Sequence, residues 1–316
     1  MNMNQPIFLE PVFQERIWGG TKLKQLFGYE IPSDRTGECW AVSAHPNGQS
    51  VVKNGPYQGM KLGDLWSKHT ELFRSGSPVF PLLTKILDAS DDLSVQVHPD
   101  DAYAGEHENG ELGKTECWYI VDAEPGSVII YGHEAKSREQ LVQMIEDGRW
   151  DDLLTRVPVK RGDFFYVPSG TIHALGKGIV VLETQQSSDT TYRVYDYDRK
   201  DKDGNLRELH LEKAIDVTTI PQAYEPVSYS SKEEAGMTVT SFVSNSFFTV
   251  EKWEVSGQAQ RSAREKYTIC SVIDGNGLLR TPDQTYPLAK GDHFILPAEF
   301  GPFELEGKMT FIISHE

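Results

Sequence analysis

The stretch GDFFYVPSGTIH, from Gly162 to His173, decides the fold of this protein. Its aromatic and β-branched residues at 164–167 favour a strand, because such side chains pack well on a pleated surface. Pro168 and Gly170 favour a turn directly after that strand. The chain is therefore expected to return as a second strand and to present the imidazole of His173 at the end of a β-sheet.

Two parts of the chain repeat each other. KRGDFFYVPSGTIH, from Lys160, is similar to LAKGDHFILPAEFGP, and KTECWYIVDAEPG, from Lys114, is similar to KYTICSVIDGNG. The two members of the first pair are 129 positions apart, and those of the second pair are 152 positions apart. The difference of 23 residues is about the length of the stretch with helical periodicity near 134–156. One β unit used twice, with a helical insertion in the first copy, explains both separations.

Residues 162–173 match the second sequence motif of the cupin family, Gly-x5-Pro-x-Gly-x2-His, although Lys177 replaces the asparagine that usually follows. The chain thus resembles a cupin. The resemblance implies a mainly β protein with two cupin-type (jelly-roll) β-barrel domains. We expect a metal-binding domain over 1–235, with its helical insertion at about 134–157, and a degenerate second domain over 236–316.

Composition excludes several classes of function. The chain has 316 residues and a formal net charge of −16, so binding to nucleic acid or to an anionic membrane surface is not expected. A phosphorylated small molecule stays open as a partner, because a few converging cations suffice for one phosphate. The N-terminus lacks the pattern of a secretory signal, and no apolar run reaches the roughly 18–20 residues of a membrane span. Three widely spaced cysteines suit a reducing cytoplasm, and the sequence leaves the oligomeric state open.

Four polar residues are candidate metal ligands. Gln96 and His98 are two positions apart in an apolar run, so their side chains share one face of a strand, and Glu116 begins the next strand. Taken singly, each has an ordinary explanation as a hydrogen-bonded or solvated side chain. Together with His173 they would be costly inside a barrel without a partner. Two imidazoles, a carboxylate and an amide oxygen suit a divalent ion such as Zn²⁺.

The second copy of the repeat serves as an internal control. Thr268 aligns with Glu116, and Pro302 takes the place of His173. The second domain therefore keeps the scaffold without the ligands, and the sequence predicts one metal site per chain.

FPLLTKILDASDDLSVQVHPDD, GKTECWYIV, the Pro168–His173 motif and TTYRVYDYDR resemble the type I mannose-6-phosphate isomerase (phosphomannose isomerase) family, in its short bacterial form. The likeness runs from FLEPVFQERIWGG to the last domain, but the large helical domain of longer members is missing. It implies an aldose–ketose isomerase that interconverts D-mannose 6-phosphate and D-fructose 6-phosphate through a cis-enediol.

The same resemblance implies specific residue roles. His98, Glu116 and His173 would hold one Zn²⁺ per chain, and Gln96 matches a further ligand of the longer members. Arg193 would be the catalytic arginine, and the pocket for the sugar phosphate would include the two lysines Lys85 and Lys114. The identity of the general base stays open.

Ordinary explanations exist for these cations as well. Lys114 would be a solvent-exposed turn residue, and Arg193 would pair with Asp196 or Asp198. Two other functions also stay open: a non-catalytic or regulatory sugar-phosphate-binding cupin, and a metal-dependent cupin oxygenase. An oxygenase usually has three histidines and one acid, which the Gln-x-His pattern fits poorly.

Overall fold

The computed structural model describes residues 5–200, 204–222, 226–262 and 264–316. Within them the strands are β1 (Ile7–Glu10), β2 (Val12–Gly20), β3 (Thr36–Val42), β4 (Val51–Val52), β5 (Leu82–Ala89), β6 (Val95–Val97), β7 (Glu116–Ala123), β8 (Val128–His133), β9 (Leu154–Pro158), β10 (Phe164–Val167), β11 (His173–Leu175), β12 (Ile179–Gln186), β13 (Tyr192–Tyr195), β14 (Ser230–Glu234), β15 (Met237–Ser244), β16 (Thr249–Arg261), β17 (Thr268–Arg280), β18 (Thr285–Ala289), β19 (His293–Leu296) and β20 (Phe303–His315). The helices are α1 (Lys22–Phe27), α2 (Leu62–Lys68), α3 (Asp101–His107), α4 (Arg138–Glu146), α5 (Trp150–Leu153) and α6 (Leu211–Val217), with 3₁₀ turns at Gly55–Tyr57 and Thr70–Leu72.

The first domain is a sandwich of two antiparallel sheets. A six-stranded sheet has the order β10-β7-β12-β5-β3-β2, and a five-stranded sheet has the order β13-β6-β11-β8-β9. Buried side chains from both sheets, among them Trp118, Ile129, Leu175 and Val181, form one core between them. The prediction of a mainly β, two-domain cupin fold is confirmed. The sheets of the described residues stay open at their edges, so neither domain is a closed barrel.

The C-terminal strands form a third sheet, with the order β14-β15-β16-β20-β17-β19-β1-β4 and with β18 paired to β17. Strands β1 and β4 come from the other end of the chain, and Ile7 lies opposite Ile295 in the pairing of β1 with β19. The N-terminal segment therefore completes the C-terminal sheet. The division at residues 235 and 236 stays a prediction.

Strand register reproduces the sequence repeat. Glu116 lies opposite Val167 in the pairing of β7 with β10, and Thr268 lies opposite Leu296 in the pairing of β17 with β19. In both copies the residue directly after the partner strand is the proline that begins the turn, Pro168 or Pro297. The positions that the sequence alignment equates are therefore equivalent in the two sheets.

The predicted helical insertion contains α4 and α5. The Ser137 hydroxyl caps α4 by accepting a hydrogen bond from the Gln140 N–H at 3.2 Å, and Gly148, with a φ of 63°, separates the two helices. Leu141 and Leu153 pack with Val97 of the five-stranded sheet, so the insertion covers the outer face of that sheet. Among the described residues we find no helix with the length and apolar character that a membrane crossing requires.

Candidate active site

Three buried side chains meet at one end of the first sandwich. His98 follows β6, while Glu116 and His173 begin β7 and β11. One ligand atom from each residue lies within 4.8 Å of the other two. Nε2 of His173 lies 3.3 Å from Oε1 of Glu116, and Nε2 of His98 lies 3.5 Å from Oε2 of Glu116. The three residues that the sequence singles out as ligands are therefore brought together.

The Pro168–Gly170 turn positions this cluster. Gly170 has a φ of 83°, and a Cβ at this position would lie 2.4 Å from the Thr219 hydroxyl oxygen, so only glycine fits without strain. The Gly170 N–H donates to the carbonyl oxygen of His98 at 2.8 Å. The turn thereby holds the two histidine-bearing segments side by side.

Both histidines are neutral near pH 7. Burial, followed by the positive charge of Lys114, lowers the pKa of His173 to about 4 and that of His98 well below its usual value. Nδ1 of His173 lies 2.8 Å from the carbonyl oxygen of Thr171, to which it donates its proton. Nε2 of His173 therefore keeps a lone pair that faces Glu116.

A cavity of about 250 Å³ lies next to this cluster, and Gln96 and Lys114 separate the two. Its lining includes the four further residues that the sequence assigns to the site, which are Lys85, Gln96, Lys114 and Arg193. Two of them touch the cluster: Gln96 Nε2 lies 3.3 Å from His173 Nε2, and Lys114 Nζ lies 2.8 Å from His98 Nε2. The structure therefore brings all seven predicted residues together, three in the cluster and four in the adjoining cavity wall.

The comparisons with known proteins agree with this geometry. Residues 7–121 match the family model described as "Phosphomannose isomerase type I, catalytic domain", and residues 238–316 match "Mannose-6-phosphate isomerase, cupin domain". The chain is 56% identical over 312 residues to the mannose-6-phosphate isomerase ManA of Bacillus subtilis, covering 98% of this chain and 99% of that protein. It is 57% identical over 316 residues to the mannose-6-phosphate isomerase of Streptococcus mutans, covering 99% of each.

The chain belongs to the type I phosphomannose isomerase family. A crystal structure of the mannose 6-phosphate isomerase from Bacillus subtilis superposes on this fold with a TM-score of 0.97 at 56% identity, over 98% of this chain and 99% of that one. A structure described as a putative mannosephosphate isomerase from Archaeoglobus fulgidus, at 24% identity and a TM-score of 0.77, shares the fold. The predicted family and its enzyme class are confirmed.

Lys114 of this phosphomannose isomerase family member is not a solvent-exposed turn residue, because only 4% of it is exposed. Its ammonium lies 2.5 Å from Oε2 of Glu116. Burial alone would lower the pKa of Lys114, but the carboxylates of Glu116 and Glu183 outweigh that effect and raise it. Lys114 is therefore a buried cation between the ligand cluster and the cavity.

Arg193 lies on β13 at the cavity wall. Among the described residues, its Nη1 donates to the carbonyl oxygen of Glu208 at 2.6 Å. Asp196 instead accepts hydrogen bonds from Arg199 and Arg207 at 2.6 and 2.7 Å. Asp196, which was a possible partner of Arg193, thus pairs with two other arginines. The guanidinium of Arg193 faces the cavity, and none of these contacts joins it to a carboxylate.

Sequence reasoning missed Glu183, a buried carboxyl in the cavity wall. It lies on β12 directly opposite Lys85 on β5, and its Oε2 accepts a hydrogen bond from the Trp118 indole at 2.9 Å. Burial, followed by the nearby charge of Glu116, raises the pKa of Glu183. A single acid inside the apolar run IVVLETQQ was the signal that could have revealed it.

Glu38 is a second missed residue, and it lies on β3 in the same sheet as Lys85 and Glu183. Its carboxylate accepts hydrogen bonds from Arg16 Nε at 2.9 Å and from the Trp40 indole at 2.6 Å. The Lys85 ammonium lies 4.0 Å from Glu38 and 4.7 Å from the centre of the Trp40 ring. Burial raises the pKa of Glu38, but the charges of Lys85 and Arg16 outweigh it, so the pKa is lowered and the carboxylate stays ionised.

Proposed function

We propose that this protein is a zinc-dependent aldose–ketose isomerase that interconverts D-mannose 6-phosphate and D-fructose 6-phosphate through a cis-enediol. The observation that carries this proposal is the contact of the His98, Glu116 and His173 cluster, through Gln96 and Lys114, with a cavity lined by lysine and arginine side chains. A cavity of about 250 Å³ is comparable in volume with a hexose phosphate, and its cations suit a phosphate ester. Relatives that carry the isomerase name at 56–57% identity support the same reaction.

The residues of the cluster fit a divalent metal ion. Oε1 of Glu116 is buried without a hydrogen-bond partner, and it faces the lone pair of His173 Nε2 at 3.3 Å. Two acceptors at that distance repel each other unless a cation lies between them. We infer that His98, Glu116 and His173 hold Zn²⁺, a His₂Glu set typical of catalytic zinc sites, with Gln96 within reach. When bound, the ion would supply positive charge that polarises the substrate carbonyl.

We further propose one ion per chain. Among the described residues, no other group of three His, Cys, Asp or Glu side chains converges in this way. Metal binding would also require Lys114 to turn away from Glu116, because the ammonium and the ion compete for the same lone pairs. The released ammonium would then point into the cavity, where it can attract the substrate.

Glu183 is the carboxyl in the cavity best suited to move the proton. As a carboxylate it would take the proton from C2 of the aldose, while the electron pair of that C–H bond forms the double bond between C1 and C2. O1 gains a proton, which gives the enediol. Return of the proton from Glu183 to C1, with loss of the O2 proton, gives the ketose. The raised pKa of Glu183 suits both directions, because a base with a pKa nearer the working pH also returns the proton readily.

Arg193 would stabilise the negative charge that develops on the enediolate oxygens. A guanidinium stays protonated at neutral pH even though burial, followed by the charge of Arg207, lowers the pKa of Arg193. Lys85, on the other wall, would attract the phosphate. We place the reaction in the first domain, over 1–235, in a cytoplasmic protein whose three cysteines are free and buried.

A coupled assay of the purified protein with mannose 6-phosphate tests the proposal. We expect turnover that is lost on treatment with a chelator and restored by added Zn²⁺. Glucose 6-phosphate and mannose, run alongside, report on the configuration at C2 and on the need for phosphate. Binding of mannose 6-phosphate without turnover by the zinc-loaded protein would contradict the proposal and favour a non-catalytic sugar-phosphate-binding protein.

A further inference from the structure

A second cavity, of about 240 Å³, lies at one end of the C-terminal domain, and we call it the C-terminal cavity. Arg261, Arg264, Trp253, Phe303 and Thr268 are among its lining residues. Its volume is close to the 250 Å³ of the active-site cavity. The two cavities therefore accommodate molecules of similar size.

The C-terminal cavity occupies the place that the metal cluster has in the first domain. Thr268 begins β17 opposite Leu296, as Glu116 begins β7 opposite Val167. The turn that follows each partner strand starts with proline. At this end the second copy of the β unit has threonine and proline in place of the acid and the histidine, and arginine, tryptophan and phenylalanine side chains line the cavity.

Two ion pairs fix the cationic wall of this cavity. The Arg261 guanidinium lies 4.4 Å over the Trp253 ring and donates to Glu234 at 2.8 Å. Arg264 donates to Glu251 at 2.8 Å, and the same carboxylate accepts the Trp253 indole N–H at 2.9 Å. The side chain of Arg261 is only 13% exposed. Stacking on Trp253 holds the Arg261 guanidinium in position even when Glu234 leaves it, which lowers the entropic cost of binding a ligand.

We propose that the C-terminal cavity binds a phosphate ester of a sugar or polyol without transforming it. Guanidinium groups bind phosphate oxygens in pairs, and aromatic walls such as Trp253 and Phe303 pack against the carbon chain. The side chain of Glu234 is 39% exposed at the rim, so a phosphate dianion can replace it at Arg261 and gain a stronger charge interaction. This site is distinct from the proposed catalytic site and does not depend on the reaction proposed there.

Sorbitol 6-phosphate is a suitable probe, because it has no carbonyl group and cannot undergo aldose–ketose exchange. Calorimetric titration of the zinc-loaded full chain should show one fewer bound probe per chain in Arg261→Gln than in the unmodified protein. The turnover of mannose 6-phosphate should be unchanged in this variant. Arg280→Gln is the matched control, since Arg280 lies in the same domain and also pairs with a glutamate, Glu306, at 2.8 Å.

Equal stoichiometry in the unmodified protein and in Arg261→Gln would overturn the proposal, as would equally tight binding of sorbitol, which lacks the phosphate. Inorganic phosphate should bind more weakly than the ester if the aromatic wall contributes. If Arg261→Gln lowers the melting temperature so far that it cannot be titrated, Arg264→Gln repeats the test at a side chain that is 36% exposed. If folded Arg264→Gln binds as many molecules of sorbitol 6-phosphate per chain as the unmodified protein, the proposal is also overturned.

Discussion

Gln96 lies directly opposite His173 in the antiparallel pairing of β6 with β11, and their Nε2 atoms are 3.3 Å apart. Across a strand pair this register brings the amide to the same imidazole nitrogen that faces Glu116. Rotation of the amide by half a turn would present its oxygen to an ion held there. We therefore propose that Gln96 is an auxiliary ligand of the metal ion and His173 a primary one.

We predict that His173→Ala loses most of the bound metal and that Gln96→Ala keeps most of it. The imidazole would supply one of three buried ligand atoms, while the amide would only add to a set of three ligands that suffices for Zn²⁺. Elemental analysis of the purified variants measures the content, with about one ion per chain expected in the unmodified protein. The partly exposed His69 offers the control His69→Ala. Full occupancy in His173→Ala would show that the metal is held elsewhere.

Arg193→Lys should lower kcat by roughly 10²-fold, or about 3 kcal/mol of transition-state stabilisation, with little change in KM. The substitution keeps the positive charge but removes the planar fork that would bind two oxygens of the enediolate. Steady-state kinetics with mannose 6-phosphate separate the two parameters. A rise in KM at constant kcat would instead mean that Arg193 holds the phosphate in ground and transition states alike. If neither parameter moves while zinc content and melting temperature are intact, Arg193 has only a structural role.

Glu183→Gln should lower kcat by roughly 10²- to 10⁴-fold, because the amide keeps the shape of the side chain but cannot accept the proton. The amide oxygen can still accept the Trp118 N–H, so the fold should survive. Since the base acts as a carboxylate, activity falls as pH decreases through its pKa. Because burial raises that pKa, the acidic limb of kcat/KM should lie at a higher pH than for an ordinary glutamate. The exposed Glu134 provides the control Glu134→Gln, and normal turnover by Glu183→Gln would exclude Glu183 as the base.

Glu38→Gln should lower the free energy of unfolding by about 3 kcal/mol, because Arg16 and the buried Lys85 then lose the carboxylate that both of them face. The same change loosens the Arg16 side chain at the cavity wall, so we also expect KM for mannose 6-phosphate to rise. Urea unfolding and steady-state kinetics measure the two effects. Glu15→Gln, at an exposed position on the same strand as Arg16, is the control. Equal stability of the two variants would show that the Glu38 network is dispensable.

His293 should make stability depend on pH in the acid range. Burial, followed by the charge of Lys53, lowers its pKa to about 3, and its Nε2 lies 2.8 Å from the Tyr29 hydroxyl. Below pH 6.5 the unfolded chain binds a proton at this residue that the folded chain does not, so stability decreases as pH falls towards 3. Between pH 7 and pH 5 the loss from this residue is about 2 kcal/mol. Unfolding of His293→Gln should show a correspondingly smaller difference between the two pH values, and an unchanged difference would contradict the prediction.

Local sequence determined the turn and the candidate metal ligands of the site. The Pro168–Gly170 turn, the strand before it and the alternation that places Gln96 and His98 on one face all depend on residues within a few positions of each other. The resemblance to the family then identified Lys85 and Arg193, which no local pattern distinguishes from ordinary strand cations. Both residues do line the cavity that borders the ligand cluster through Gln96 and Lys114.

Only the tertiary structure decided which distant side chains share the site. Glu183 and Glu38 reach the cavity through strand pairings of β12 with β5 and of β3 with β5. In the sequence each of the two is a single acid in or next to an apolar run. Their strand partners lie 98 and 49 positions away, and a pairing over such a distance leaves no periodic pattern in the sequence. The same reason applies to β1, whose short apolar strand gives no sign that it pairs with β19 at the far end of the chain. Strand period is a property of neighbouring residues, whereas strand partners are chosen by the packing of the whole core.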